Sequence, residues 1–400
     1  MRISTMSAQQ SALNGVLNAE SNASTTEAHL ASGQKLLNAS DDPTAAAQVL
    51  GLTQISDANT QYQTNITAGT DRLNAEGDAL NQVTTILQSA RSLALEASNG
   101  TETAQDQQAI ATQLQQMLDQ LVQVANSRDG QGDALFGGNA VSGAPFVQSG
   151  NAVSYAGDAG QRMVAAAPGM QVATGDPGST VFMDIPAGNG QFAVAANAAN
   201  AGSLVVGQTS VTDPSAFVAG SYKIQFTDTT GDWTATNAAG ATVGTGTLSD
   251  TGQGTGSIAF GGMQIQVTGQ AAAGDSLQVT SGVPQSVFTT FGNLIATLQG
   301  GTPGAASSNV INQQLQGIDN ALGQVEDVQA QVGARVDTLQ QQNTSEGNLG
   351  VLYKGDLSNL QDLDMASAIS QLDLQTVALQ AAQQAFVKVQ GLSLFNYLQP

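Results

Sequence analysis

The sequence contains no cysteine and a single histidine among its 400 residues. Without cysteine there is neither a disulfide nor a thiolate metal site. With His29 alone, the chain has no HExxH motif, no zinc-finger ligand set and no cysteine–histidine nucleophile pair. A lone histidine on a polar helix is most often a solvated surface residue. We therefore predict a protein that is not an enzyme and that uses no metal or cofactor.

Charge is also scarce, and basic charge especially so. Only 10% of the residues are charged, and ten basic against 31 acidic residues leave a net charge of −21. The basic residues are scattered singly and form no patch for phosphates, which argues against nucleic acids and anionic membranes as partners. Surfaces of uncharged polar residues suit extensive packing between subunits, because few charges lose water on contact.

Long apolar runs are missing as well. No stretch approaches the roughly 20 apolar residues that a membrane span requires. The segment Met1–Leu17 lacks the apolar core of about 7–15 residues found in cleaved secretory signals. The sequence thus predicts a cytosolic protein or one exported without a cleaved signal.

Proline is absent from most of both flanks and glycine is sparse there, whereas both are concentrated in the middle of the chain. Six of the nine prolines lie between Pro145 and Pro284, and none lies between positions 44 and 144 or between 304 and 399. Both residues break helices, so the flanks are free to form long helices while the middle is not.

The flanks carry apolar residues at alternating spacings of three and four. One seam runs from Leu52 to Ala97, a second helix is predicted over about 104–127, and a third seam runs from Ile311 to Leu339. This spacing is typical of coiled coils and helix bundles. Because no single helix can bury its stripe alone, we predict one bundle built from both halves of the chain.

The middle alternates apolar and polar residues, as half-buried strands do. Four segments show this pattern between Gly-, Asn- and Asp-rich turns: 181–185, 222–226, 263–267 and 276–280. We predict an α+β multidomain fold, with a long α-helical coiled-coil or bundle rod made from the N- and C-terminal parts and an inserted, mostly antiparallel β domain. The predicted domains are the terminal helices 1–42 and 361–400, the helical bundle with a small β portion 43–189 and 283–360, and the β insertion 190–282.

The two ends are predicted to be weakly amphipathic helices. Their apolar stripes are too thin to fold stably alone, which leaves two interpretations: they become ordered on partners, or they are ordinary terminal helices packed on the bundle. The residues expected at an assembly interface are Leu13, Leu17, Leu30, Ile369, Leu372, Leu379, Phe386, Val389, Leu394 and Leu398.

A hinge is predicted between the first two helices. Gly33 can end the first helix in a left-handed conformation. Ser40, Asp41 and Asp42 can cap the second helix, which Pro43 can open at its first turn.

Three motifs resemble those of the flagellin-like family. They are the start Met1–Thr5, the segment Leu30–Lys35 followed by Ser40–Ala46, and the tail Leu392–Leu398. Ala31 stands where serine is usual in the family, a replacement of one small residue by another. The start and the tail are more similar to those of the filament-side hook–filament junction proteins than to those of flagellins.

The resemblance implies a structural subunit of the bacterial flagellum that forms the hook–filament junction ring on which the filament assembles. It implies secretion by type III export and an extracellular place at the junction. The implied partners are further copies of the chain, a neighbouring hook-associated junction protein, flagellin, and a cytosolic export chaperone on the C-terminal helix. Two alternatives stay open: a flagellin filament subunit, or a secreted surface-binding or adhesion protein.

Overall fold

The computed structural model describes residues 5–99, 102–140, 142–248, 255–301 and 303–391. The chain forms two compact units, Met1–Thr64 with Asn343–Pro400, and Asn65–Gln342. The helices in the described ranges are α1 Thr5–Ser32, α2 Pro43–Ala97, α3 Ala104–Ala125, α4 Val287–Gln299, α5 Ala305–Gln361 and α6 Met365–Gly391.

Two of these helices are unusually long. α2 has 55 residues and α5 has 57, which corresponds to roughly 80–85 Å each at about 1.5 Å per residue. The predicted long helices of both flanks are confirmed. No helix within the described ranges is long and apolar enough to cross a membrane.

The first unit contains α1, α6, the beginning of α2 and the end of α5. α1 packs closely along α6, and a small residue on each helix, Ala23 and Ala368, is buried. Asn59 on α2 donates from Nδ2 to the main-chain oxygen of Glu346 on α5 at 3.0 Å and also to its carboxylate. Both of these polar residues are buried, so an amide–carboxylate contact takes the place of an apolar pair in this part of the seam.

The second unit has a helical core that follows the predicted seams. Leu73, Leu80 and Leu87 of α2 are fully buried, and so are Ile318 and Leu339 of α5. They form one hydrophobic cluster with buried residues of α3 and α4 and of the short strands that cover the bundle. The prediction of a bundle made from both halves of the chain is therefore confirmed.

The strands are β1 Phe146–Ser149, β2 Ala152–Tyr155, β3 Met163–Ala167, β4 Met170–Ala173, β5 Ile185–Pro186, β6 Phe192–Ala196, β7 Val205–Val211, β8 Ser221–Phe226, β9 Asp232–Asn237, β10 Thr242–Thr247, β11 Thr255–Phe260, β12 Met263–Thr268, β13 Ser276–Ser281 and β14 Pro284–Gln285. β1–β2, β3–β4 and β5–β14 form separate antiparallel pairs.

The remaining strands build the inserted β domain. One sheet has the order β10-β9-β8-β13-β6 and the other β11-β12-β7, and every pairing in both is antiparallel. β10 also lies against β11, and β6 against β7, so each sheet edge faces an edge of the other sheet. The alternating segments 222–226, 263–267 and 276–280 are strands as predicted, and their inward side chains share a second hydrophobic cluster.

The segment 181–185 was expected to be a strand, and that prediction is wrong. Residues Ser179–Met183 form a single π-helical turn, and only Ile185–Pro186 is extended. Val181 and Phe182 are adjacent and both fully buried, whereas a strand would send neighbouring side chains to opposite faces. The Phe182 ring packs against other core aromatics, with its centroid 5.1 Å from that of Phe136. The helical turn allows both residues to enter the core.

Candidate assembly surface

The chain turns from α1 into α2 and from α5 into α6 at one place in the first unit. The N–H of Lys35 donates to the carbonyl of Gln361 at 2.7 Å, and the N–H of Leu363 donates to the carbonyl of Gly33 at 3.0 Å. These bonds form a short antiparallel bridge between the two helix connections. We call this bridge the junction clasp, because it ties the end of α1 to the start of α6.

The predicted hinge glycine lies in this clasp. Gly33 has φ 69°, a left-handed conformation that glycine adopts without steric cost. Its N–H donates to the carbonyl of His29 at 2.9 Å, which closes the last turn of α1. The His29 ring nitrogen Nδ1 lies 2.9 Å from the carbonyl oxygen of Gln34, and the carbonyl acceptor assigns the proton to Nδ1. The single histidine thus bonds to the main chain of the clasp.

Asp41 and Asp42, which follow the clasp, accept main-chain hydrogen bonds in the turn that leads into α2. Asp41 Oδ2 accepts the N–H groups of Asn38 at 2.8 Å and Leu37 at 3.0 Å, and these bonds, the first above all, hold the pKa of Asp41 below its usual value. Asp41 therefore closes the turn between the clasp and α2. Ser40 is exposed beside it.

Asp42 occupies the cap position of α2. Its Oδ1 accepts the N–H groups of Thr44 and Ala45, both at 3.0 Å. Pro43 is the first helical residue, where the missing N–H of proline costs nothing.

The residues predicted for the interface fall into two groups in the structure. α6 packs on α1, and one face of α6 is half-buried there, while other predicted residues remain exposed. The half-buried group is Leu30, Leu372, Leu379, Phe386 and Val389, and the exposed group is Leu13, Leu17 and Ile369. Leu394 and Leu398 lie outside the described residues.

α6 has a second apolar face, whose residues were not among those predicted from the sequence. Leu374, Val377 and Val387 are 70%, 64% and 66% exposed. The available signal was that α6 has few charges, with Asp373 and Lys388 as its only charged residues, and that its large apolar residues are not confined to one side. A helix with that pattern is normally covered on more than one side. Along α6, therefore, one apolar face is closed by α1 and another remains open.

Acidic and histidine side chains are not gathered into a candidate metal site. In the part of the chain that the structure describes, no group of three or more is placed to hold a metal ion. What distinguishes this region is the pair of terminal helices and their shared clasp.

Comparisons with known proteins match both helical ends and the insertion. Residues 3–140 match the N-terminal helical region of bacterial flagellin, and residues 315–398 match its C-terminal helical region. Residues 195–281 match the D2-like domain of flagellar hook-associated protein 1. Flagellin of Clostridium tyrobutyricum is 34% identical over 127 residues, but this covers only 30% of the chain.

Other relatives match along most or all of the chain. Flagellar hook-associated protein 3 of Salmonella typhimurium is 25% identical over 401 residues, which covers 99% of each protein. The crystal structure of Xanthomonas campestris FlgL is 31% identical, covers 77% of this chain and 99% of its own, and has a TM-score of 0.71. Flagellar hook-associated protein-3 from Legionella pneumophila is 28% identical over 77% of this chain and 98% of its own, with a TM-score of 0.69.

Flagellin-type helical regions at both ends of the chain, with an antiparallel β domain inserted between them, define a flagellin-like structural protein of the bacterial flagellum. The similarity to flagellar hook-associated protein 3 extends over the full length, whereas the flagellin of Clostridium tyrobutyricum matches only 30% of the chain. The chain belongs to the FlgL family, the flagellar hook-associated proteins 3. Its role is structural, at the junction of hook and filament, and the alternatives of a filament subunit or an adhesion protein are not favoured.

Proposed function

We propose that the protein assembles as a ring at the tip of the hook and presents the surface on which the filament grows. The observation that carries this proposal is the match to hook-associated proteins 3 over 99% of both chains. Partners of the ring would be further copies of the chain, a neighbouring hook-associated junction protein on one side and flagellin on the other.

The terminal helices would form the inner layer of this ring. The clasp between Gly33 and Leu363 supports that role, because it holds the end of α1 and the start of α6 together. The open apolar face of α6 supports it too, since an exposed apolar stripe is a common feature of interaction surfaces. The division into 1–42 with 361–400, 43–189 with 283–360, and 190–282 remains a prediction, with the β insertion on the outer surface.

Export and location complete the proposal. The chain would leave the cell unfolded through the type III apparatus, guided by a cytosolic chaperone on its C-terminal helix, and would act outside the cell. It would perform no catalysis, because its contribution is to adapt a flexible hook to a stiff filament through subunit contacts.

The test is electron microscopy of a strain that lacks this protein. We expect hooks without filaments, together with flagellin in the growth medium, and recovery of filaments when the full chain is supplied. A matched strain that lacks flagellin should also have bare hooks, but no flagellin in the medium. Normal filaments on hooks that lack this protein would overturn the proposal.

A further inference from the structure

One face of the first half of α5 carries a row of side-chain amides. Asn309, Asn312, Asn320 and Gln324 are separated by three, eight and four residues, so they lie along one side of the helix. Each donates a hydrogen bond to a main-chain oxygen. Gln324 and Asn320 bond to the segment that leads from the helical core into the β domain, and Asn309 and Asn312 bond at the start of β7 within that domain. We call these four residues the amide stripe.

The lower half of the amide stripe holds the linker before the β domain. Gln324 Nε2 donates to the carbonyl of Thr180 at 3.0 Å. Asn320 Nδ2 donates to the carbonyls of Pro186 and Gly188, both at 2.7 Å. The linker therefore runs antiparallel to α5. The amides bond to main-chain carbonyls of the linker, which are present whatever the linker's sequence.

The upper half of the stripe covers the edge of β7. Asn309 Oδ1 accepts the N–H of Val206 at 2.7 Å, and its Nδ2 donates to the carbonyl of Leu204 at 2.8 Å. Asn312 Nδ2 donates to the carbonyl of Val206 at 3.2 Å. Asn309 is itself buried. The two amides thus take the place of a neighbouring strand and satisfy groups that a bare edge would leave open.

The chain that leaves the β domain is also attached to α5. β14 pairs with β5, so the outgoing and incoming linkers lie side by side. Gln285 Nε2 of β14 donates to Gln314 Oε1 of α5 at 2.9 Å and to Thr290 Oγ1 of α4 at 2.9 Å. Both connections are therefore bonded to helices of the core.

We propose that the amide stripe of α5 fixes the orientation of the inserted β domain, which would otherwise swing on its two linkers. Each linker contains glycines with positive φ, Gly188 and Gly190 on the way in and Gly282 on the way out, and such residues permit hinge motion. The stripe spans roughly 22 Å of helix at about 1.5 Å per residue. Directional bonds spread over that length oppose rotation more effectively than two glycine-containing linkers can.

The natural absence of cysteine allows a direct test by spin labelling. Ala239→Cys in the exposed turn after β9 and Gln116→Cys on the exposed side of α3 provide two label sites. We expect a single narrow distance between them in the parent chain. In the combined variant Asn309→Ala, Asn312→Ala, Asn320→Ala, we expect this distance to be replaced by a broad distribution while both domains stay folded.

Two further variants keep the test decisive. Asn320→Ala removes only the bonds to Pro186 and Gly188. If the combined variant unfolds the β domain because it lacks Asn309, the distance distribution of Asn320→Ala alone tests the proposal. Asn343→Ala on the exposed side of the same helix is the matched control and should leave the distance narrow. An unchanged narrow distance in both stripe variants would overturn the proposal, because the linkers alone would then set the orientation.

Hydrogen exchange gives an independent readout at one atom. The N–H of Val206 is bonded to Asn309, so in Asn309→Ala it should exchange roughly five- to tenfold faster, the change expected for one lost hydrogen bond. Exchange at the parent rate in a folded variant would show that this bond does not restrain β7.

Discussion

The main-chain N–H of Asp176 donates a 3.0 Å hydrogen bond to Oε1 of Glu76, a residue of α2 with no solvent exposure. The second carboxylate oxygen of Glu76 is buried without a partner among the described residues. Burial raises the pKa of Glu76 to about 8, and the nearby charge of Asp176 acts in the same direction. At neutral pH the core of the second unit therefore holds a protonated glutamic acid.

Glu76→Gln should make the protein less sensitive to alkaline pH. The folded state keeps the proton on Glu76 up to about pH 8, whereas the unfolded chain releases it above about 4.5. The folded state thus binds more protons between these values, and stability falls as pH rises through them. Glutamine has no proton to lose. We expect it to raise the free energy of unfolding by on the order of 5 kcal/mol at pH 9, as a pKa raised from 4.5 to about 8 implies.

Denaturant unfolding of both proteins at several pH values between 5 and about 9 measures this difference. Glu96→Gln, at an exposed position of the same helix, is the control and should leave the pH profile of the parent unchanged. A Glu76→Gln profile that runs parallel to the parent profile would contradict a raised pKa.

Arg335→Met should be strongly destabilising. Arg335 donates to both carboxylate oxygens of Asp176, at 2.7 and 3.1 Å, and Asp176 is 4% exposed. Removing the arginine leaves a buried carboxylate without its counter-ion, which costs about 3–5 kcal/mol. Arg91→Met breaks an exposed ion pair between α2 and α5, with Asp319, and should cost less than about 1 kcal/mol. Equal losses in the two variants, measured by urea unfolding, would refute the distinction.

Periodicity was sufficient to predict the helices but not the buried polar contacts. Leu73 and Leu80 follow a spacing that depends only on neighbouring positions along the chain. Glu76 lies on the same stripe, yet its partner is 100 residues away in a loop, and local spacing carries no information about such a pairing. The hydrogen bond between Asn309 and Val206 could not be predicted from the sequence for the same reason.

The candidate surface could be predicted only in part, for a related reason. The heptad of Leu372, Leu379 and Phe386 is visible in the sequence. The pattern does not show which apolar face of α6 packs against another helix of the same chain. Likewise, Phe182 lies in a segment that alternates well enough to suggest a strand. Only the surrounding aromatic core shows why a helical turn is preferred.

Gly246→Ala should destabilise the β domain without affecting the helical core. A Cβ at Gly246 would come within 2.8 Å of Trp233 Cζ2, on a buried indole that cannot move aside. Overpacking of this kind typically costs about 1–3 kcal/mol. In β7, a Cβ at Gly207 would meet its nearest atom at 3.5 Å, so Gly207→Ala should be tolerated.

Fluorescence separates this effect from global unfolding, because Trp233 is the only tryptophan in the chain. Its signal reports the β domain, while circular dichroism at helical wavelengths reports the remainder. A lower midpoint in fluorescence alone is expected for Gly246→Ala. The prediction fails if Gly246→Ala and Gly207→Ala melt alike.

Deletion of residues 190–282 should leave export and junction assembly largely intact. β5 and β14 pair across the base of the insertion, with Ile185 opposite Gln285, so a short glycine-containing turn can join the cut ends. The helical seams lie outside the deleted segment. Motility of a strain that carries the shortened protein is the measurement. If that protein is exported and folded but filaments do not form, the β domain contributes to the junction itself.

The terminal segments should be more sensitive to protease than the bundle in a purified monomer. α1 carries only a thin apolar stripe, and Leu17 is 52% exposed. Helices with so little covered surface open readily. We expect rapid trimming of both ends and survival of a fragment of about 45–360, identified by mass spectrometry. Resistance of both ends would mean that the α1–α6 pair is stable without other subunits.

The two faces of α6 should respond differently to a buried charge. Leu379 lies on the half-buried face, in the pair that α6 forms with α1, so Leu379→Asp should weaken that pair in the monomer as well as the junction. Leu374 is 70% exposed on the other face. Leu374→Asp should leave the monomer unchanged and still block assembly, because the charge would lose its water only when a neighbouring subunit covers it. Thermal unfolding of each monomer and motility of each strain give the two readouts.

Cysteine crosslinking then identifies what covers the open face. In this cysteine-free chain, Val377→Cys on the open face should be joined between neighbouring subunits by a flexible thiol-to-thiol crosslinker in isolated hook–basal bodies, because subunits of a ring do not bring a residue directly opposite its own copy. Lys354→Cys, exposed on α5, serves as the control for random collision. Export of every variant must be verified first, since a chaperone on the same face would also be affected.

Normal motility of Leu374→Asp, with no crosslink through position 377, would remove this face from the interface. The half-buried heptad of Leu372, Leu379 and Phe386 would then be the surface that neighbouring subunits share, and α1 and α6 would have to separate when the ring forms.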